Sequence, residues 1–160
     1  MKSACFTGHR NISGDIIKLK QTLYNTLENY ITNYGLTDFY AGGALGWDTL
    51  AALTVIKLRS IYPHIRLHLI LPCSNEEQTA KWSDKDKWIF YRILSNADHI
   101  EYTSQYYYNG CMKARNARLV GCADICFCYW NTNNFHSGTA QTVNMARRKQ
   151  IDIINFMRDK

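Results

Sequence analysis

The sequence predicts an α/β fold: a single doubly wound, mostly parallel sheet of the Rossmann-like kind. Two observations predict it. Short apolar runs alternate with longer segments of helical periodicity along the whole chain, with no linker, repeat or low-complexity tract between them. Glycines, hydroxyls and polar residues collect immediately after the apolar runs, where such a sheet presents its ligand site. Alternation at this spacing implies βαβ units, whose parallel strands need helices on both faces and right-handed crossovers. At 160 residues the chain suits one domain, residues 1–160, large enough to bury a core unaided.

Each element has its own justification. Ala4 to Thr7 is a short apolar run ended by Gly8, the first strand. From Ile16, apolar residues recur at three- and four-residue steps through Leu19, Leu23, Leu27, Ile31 and Tyr34, an amphipathic helix stopped by Gly35. Thr37 to Ala41 is the second strand, ended by Gly42-Gly43, and a helix follows from about Trp47 to Ile61, with Pro63 beyond it. Arg66 to Leu71 is the third strand, closed by Pro72. Ser83 to Ser95 reads as a helix with Trp88 in the core, and His99 to Thr103 as a fourth strand. Lys113 to Gly121 is helical and Asp124 to Trp130 is a strongly apolar fifth strand. Gly138 to Lys149 is the last helix, and Ile151 to Phe156 closes the sheet. The run Tyr106-Tyr107-Tyr108 is expected to pack its rings on the body of the domain.

Composition narrows the classes. With 46% hydrophobic and 20% charged residues, the chain is an ordinary globular protein and not a disordered one. No apolar stretch approaches the roughly 20 residues a bilayer span needs. The start, MKSACFTGHR, lacks signal-peptide architecture, so a cytoplasmic protein without a membrane partner is expected. Six cysteines with no CxxC pair read as reduced, buried thiols, Cys126 and Cys128 sharing one face of the fifth strand. No metal site and no cofactor is expected. The net charge of +6 suits an anionic partner, phosphate or nucleic acid. Arg147-Arg148-Lys149 reads as a solvated helix end facing the helix dipole.

Three strand ends carry candidate chemistry. Thr7-Gly8-His9-Arg10 follows the first: a glycine allows close backbone approach, and Arg10 offers a planar fork for phosphate. Gly42-Gly43-Ala44-Leu45-Gly46-Trp47-Asp48 follows the second and opens a helix, where exposed amides and the helix dipole make an anion site. This GGxxG is neither a dinucleotide fingerprint nor a P-loop. Asp48 reads equally as a first-turn residue satisfying free amides, a ribose-hydroxyl acceptor or a general base. After the fifth strand come the polar loop Asn131 to His136 and then Ser137-Gly138-Thr139, a second anion site at a helix start. Lys113, Arg115 and Asn116 lie on a helix that either leans over this edge or faces solvent. Trp82, in a polar loop, either stacks on a base or caps the edge of the core.

The segments FTGHR, GGALGWDTLAA, LPCSNEEQTAKW, GCMKARNARLVGCAD and SGTAQTVNMA, in this order, resemble the SLOG superfamily and in particular its YpsA-like branch. GGALGWD and KARN…SGT also look like the Rossmann core of DNA-processing protein A, a single-stranded DNA binder. The resemblance implies a Rossmann-like fold and a nucleotide or nucleotide-derived ligand. It implies one pocket lined by Gly8, Arg10, Gly42, Gly43, Gly46, Asp48, Arg115, Asn116, Gly138 and Thr139, with Arg115 and Asn116 as ligand contacts. The superfamily also contains the LOG-type phosphoribohydrolases, whose motif is PGGxGTxxE. Here Gly138-Thr139 matches and Thr142 stands in place of the glutamate. A threonine cannot carry the charge that assists an oxocarbenium-like departure. The expected function is therefore binding, sensing or sequestering such a ligand. The alternatives are an N-glycosidase of nucleoside monophosphates with Asp48 as its catalytic carboxylate, and a single-stranded nucleic-acid binder. A homo-oligomer is expected.

Overall fold

The structure is a computed structural model, and it describes residues 2–157. β1 (Ser3–Gly8), β2 (Asp38–Ala41), β3 (Arg66–Leu71), β4 (His99–Tyr102), β5 (Ile125–Tyr129) and β6 (Asp152–Asn155) form one sheet in the order β4-β3-β2-β1-β5-β6. Every pairing is parallel, so the sheet is parallel throughout and not merely in most of its strands. The helices are α1 (Ile16–Tyr34), α2 (Trp47–Arg59), α3 (Asn75–Thr79), α4 (Asp84–Asn96), α5 (Cys111–Cys122) and α6 (Gly138–Lys149). α3, a single short helix after β3, has too little periodicity to be read in advance.

The chain steps outward from β1 to β4, then returns to lay β5 against the other side of β1. Strand order thus reverses between β1 and β5, and the crevice beyond their carboxyl ends is where an open α/β sheet takes a ligand. Period-two alternation divides the side chains between two cores. Leu67, Leu69 and Leu71 join Phe6, Phe39 and Phe127 under α1, α2 and α4. Ile70 faces the other way, into a core of Cys5, Cys126 and Cys128 under α5 and α6. Burial pushes the Cys128 thiol up to about 12, so it packs as a hydrophobe. No described helix is long and apolar enough to cross a membrane.

Two side-chain expectations need correction. Trp88 is 61% exposed; α4 buries Phe90 and Ile93 instead, and Trp88 takes the Arg92 guanidinium over its ring, one turn along the surface. Tyr106, Tyr107 and Tyr108 do not lie on the body either, being 70%, 60% and 46% exposed. Their loop is held through its backbone, by the Gln105 carbonyl to the Ser74 amide and the Tyr107 amide to the Glu77 carboxylate, which leaves the rings outside. Lys149, with Arg147 and Arg148, is exposed at the end of α6, as expected of a solvated helix end. Its ammonium donates to the carbonyls of Val120, Gly121 and Ala123, at 2.9, 3.0 and 2.9 Å, and so caps the carboxyl end of α5.

Candidate functional site

β1 and β5 end side by side at Gly8 and Tyr129. Just beyond them lies a cavity of about 300 Å³, at the small end of the range for ligand pockets. Thr7, Gly8, His9 and Arg10 line it from the end of β1, Ala44 and Asp48 from the β2–α2 turn. Met112, Arg115 and Asn116 line it from α5, and Ser137, Gly138 and Thr139 from the start of α6.

Trp47 sets the position of the β2–α2 turn. It is fully buried, stacks on Tyr129, and donates its indole N–H to the Phe127 carbonyl at 3.1 Å. Its backbone N–H donates to the His9 carbonyl, tying α2 to the end of β1. Gly8 must lack a side chain because a Cβ there would lie 2.5 Å from Trp47.

The glycines of the second turn are used by the protein itself. Gly42 faces the Arg115 guanidinium, and a Cβ on it would lie 2.7 Å from Nη1. Gly46, at φ 79°, packs against the Arg10 backbone; Gly43, at φ 73°, packs against Leu71 and Phe90. None of the three lines the cavity. The turn makes room for the chain's own groups, and in doing so it delivers Asp48 and Arg115 to the cavity floor.

Asp48 and Arg115 are both buried, at 5% exposure each. Asp48 accepts the Ala44 N–H at 3.2 Å. Arg115 donates from Nη1 to the Gly42 carbonyl and from Nε to the Asn116 side chain at 2.8 Å. Its Nη2 faces the Met112 sulfur at 3.7 Å, a weak acceptor. Burial lifts the Asp48 carboxyl to about 6, even though Arg115, the Ala44 amide and Arg10 all pull it down. Burial also lowers Arg115, with Asp48 acting to raise it. Asp48 is the only carboxylate among the lining residues.

His9 accepts the Asn131 N–H on Nε2 at 2.8 Å, which places its proton on Nδ1. Partial burial holds it below the usual histidine range, which favours the neutral ring. Opposite, Ser137 caps α6 by accepting the Ala140 N–H at 3.0 Å. The Gly138 and Thr139 amides, in the first turn of α6, have no acceptor among the described residues, and both residues line the cavity. Thr142 does not line the cavity. It is fully buried and bonds the Gly138 carbonyl of its own helix at 2.9 Å.

Of the residues singled out in the sequence, the structure brings together Gly8, His9, Arg10, Asp48, Arg115, Asn116, Ser137, Gly138 and Thr139. It leaves Gly42, Gly43 and Gly46 behind the wall, and Lys113 is exposed outside the lining. Trp82 is half-buried and packs edge-on against Phe90, 5.4 Å between centroids, away from the cavity. Met112 and Ala44 are additional lining residues. Helical spacing marks Met112, which lies one turn before Arg115 and Asn116.

Fold and site define an α/β protein with a polar, cation-bearing cavity at the switch point of a parallel sheet. The chain belongs to the YspA SLOG family (YpsA), whose model matches residues 6–158. It is 36% identical over 85 residues to the SPbeta prophage-derived protein YoqJ of Bacillus subtilis, covering 53% of this chain and 48% of that one. A UPF0398 protein of Brevibacillus brevis is 37% identical over 68 residues, 42% of this chain and 35% of its own. A UPF0398 protein of Staphylococcus haemolyticus is 30% identical over 118 residues, 69% of this chain and 62% of its own. The chain thus spans about half or less of the first two relatives' length. The X-ray structure of TM1055, a structural genomics target, superposes with a TM-score of 0.57 at 15% identity. That match covers 96% of this chain and 72% of TM1055, and it shows the shared fold.

Proposed function

We propose that this protein binds a nucleotide or nucleotide-derived phosphate ligand in the cavity beyond β1 and β5. Support comes from one convergence: the unpaired Gly138 and Thr139 amides and the Arg10 and Arg115 guanidinium groups meet in a single cavity with one carboxylate. Amides at a helix start, with the dipole behind them, receive an anion. Arg10 is exposed and free to close on it, while Asp48 accepts from a sugar hydroxyl. Titration calorimetry tests the reading by comparing a nucleoside monophosphate with its nucleoside. The nucleotide should bind, the nucleoside should bind at least ten-fold more weakly, and Arg10→Ala should narrow the gap. Equal affinity for both would remove the phosphate from the reading. A steep salt dependence with long single strands and none with monophosphates would favour a nucleic-acid binder instead.

One observation favours a second reading, an N-glycosidase of nucleoside monophosphates. Asp48 is a buried cavity carboxyl raised to about 6, near the pH at which an acid or base works best. Release of free base by the wild type, abolished in Asp48→Asn, would establish it. Absence of release alongside ligand binding leaves binding as the function.

A further inference from the structure

The cavity accounts for only part of a nucleotide. Its lining is hydroxyl, amide, guanidinium and carboxylate, and it offers no free aromatic face beyond the His9 imidazole. Phe6 touches it, but the Phe6 ring is fully buried and stacked on Phe39 and Phe127 in the core. That lining suits a sugar and phosphate and gives a base little to stack on.

Phe135 stands two residues before Ser137 and is 70% exposed within the otherwise polar loop Asn131 to His136. A lone exposed ring is ordinary on a protein surface. This loop, however, is tied down from several sides. His9 accepts the Asn131 N–H, the Trp130 indole donates to the Asn134 carbonyl at 3.0 Å, and the Asn134 N–H donates to the Asn131 carbonyl at 2.9 Å. The Asn133 N–H donates to the Asn131 side chain at 3.0 Å. These bonds hold the backbone of residues 131–134, and Phe135 follows directly, exposed and two residues before the Ser137 cap of α6.

We propose that Phe135 is the stacking platform for the base of the ligand. The cavity then selects the sugar-phosphate, and Phe135 selects an aromatic base with little preference among bases, since every base has a face to stack. The inference rests on the nucleotide reading of the cavity and moves the stacking role from Trp82 to a residue at the α6 entrance.

Calorimetry with a nucleoside 5′-monophosphate and with ribose 5-phosphate tests it on wild type, Phe135→Ala and Phe135→Tyr. Wild type should bind both compounds. Phe135→Ala should keep the wild-type melting temperature and its affinity for ribose 5-phosphate while losing about five- to a hundred-fold for the nucleotide. Phe135→Tyr should bind both as wild type does. Unchanged nucleotide affinity in Phe135→Ala overturns the stacking role and leaves the cavity reading intact. Equal loss for both compounds makes Phe135 a structural part of the loop and also overturns it. Binding of neither compound by wild type overturns the cavity reading, and the platform with it.

Discussion

Burial lifts the Asp48 carboxyl to about 6 against an ordinary 3.8, and Arg115, the Ala44 amide and Arg10 offset only part of that lift. At about 1.4 kcal/mol per tenfold change in proton affinity, ionising Asp48 in the fold costs on the order of 3 kcal/mol. The folded chain keeps this proton to a higher pH than the unfolded chain does. Between about pH 4 and 6 the native state therefore binds more protons, stability falls as pH rises, and the full penalty applies above pH 6. Asparagine keeps the shape of the protonated acid and cannot ionise. Asp48→Asn is accordingly expected to raise stability at pH 7.5 by about 2–3 kcal/mol, with the gain shrinking to near zero by pH 4. Urea unfolding of both proteins across this range measures it. A loss of stability at pH 7.5 would mean that the attraction of Arg115 outweighs the cost of burying the Asp48 charge, and would refute the reasoning.

Gly43→Val should impair folding, because a Cβ there meets Leu71 at 2.5 Å and φ is 73°; a variant melting like wild type would contradict this. Arg115→Ala leaves the Gly42 carbonyl without its buried donor and Asp48 without the cation that lowers it, which should cost about 1–3 kcal/mol. Arg115→Lys should recover only part of that in urea unfolding, since one ammonium cannot reproduce the fork. Thr142→Glu should destabilise by several kcal/mol, about the cost of an unpaired buried charge, and should create no base-releasing activity. Activity in a stable Thr142→Glu protein would place that position at the site after all.

Much of the fold is legible because strand ends and helix ends are marked locally. Arg66 to Leu71 emerges with the same bounds in sequence and structure, and Gly35 ends α1 in the left-handed conformation its position calls for. The cavity is legible to the same degree, since three loops at one edge of a parallel sheet are bound to meet where strand order reverses. What fills the space beside a glycine is not legible. The GGALG turn carries the pattern of a phosphate cradle, yet its glycines face Arg115, Leu71 and the Arg10 backbone, partners distant in sequence. Trp88 shows the same limit: its helical spacing suits a core position, but the inward stripe of α4 is set by Phe90 and Ile93, and the tryptophan falls just off it. Thr142 stands at the motif position of the glutamate yet is fully buried and outside the cavity lining, and only the facing of α6 reveals it.

The central claim, that an anionic ligand docks on the start of α6 between β1 and β5, is tested most directly by following backbone amide resonances while a nucleoside monophosphate is titrated in. The account predicts the largest shifts at Gly138 and Thr139, with Gly8 and Arg10 next. No shift at these amides at saturating nucleotide, or shifts confined to Tyr106, Tyr107 and Tyr108, would contradict it.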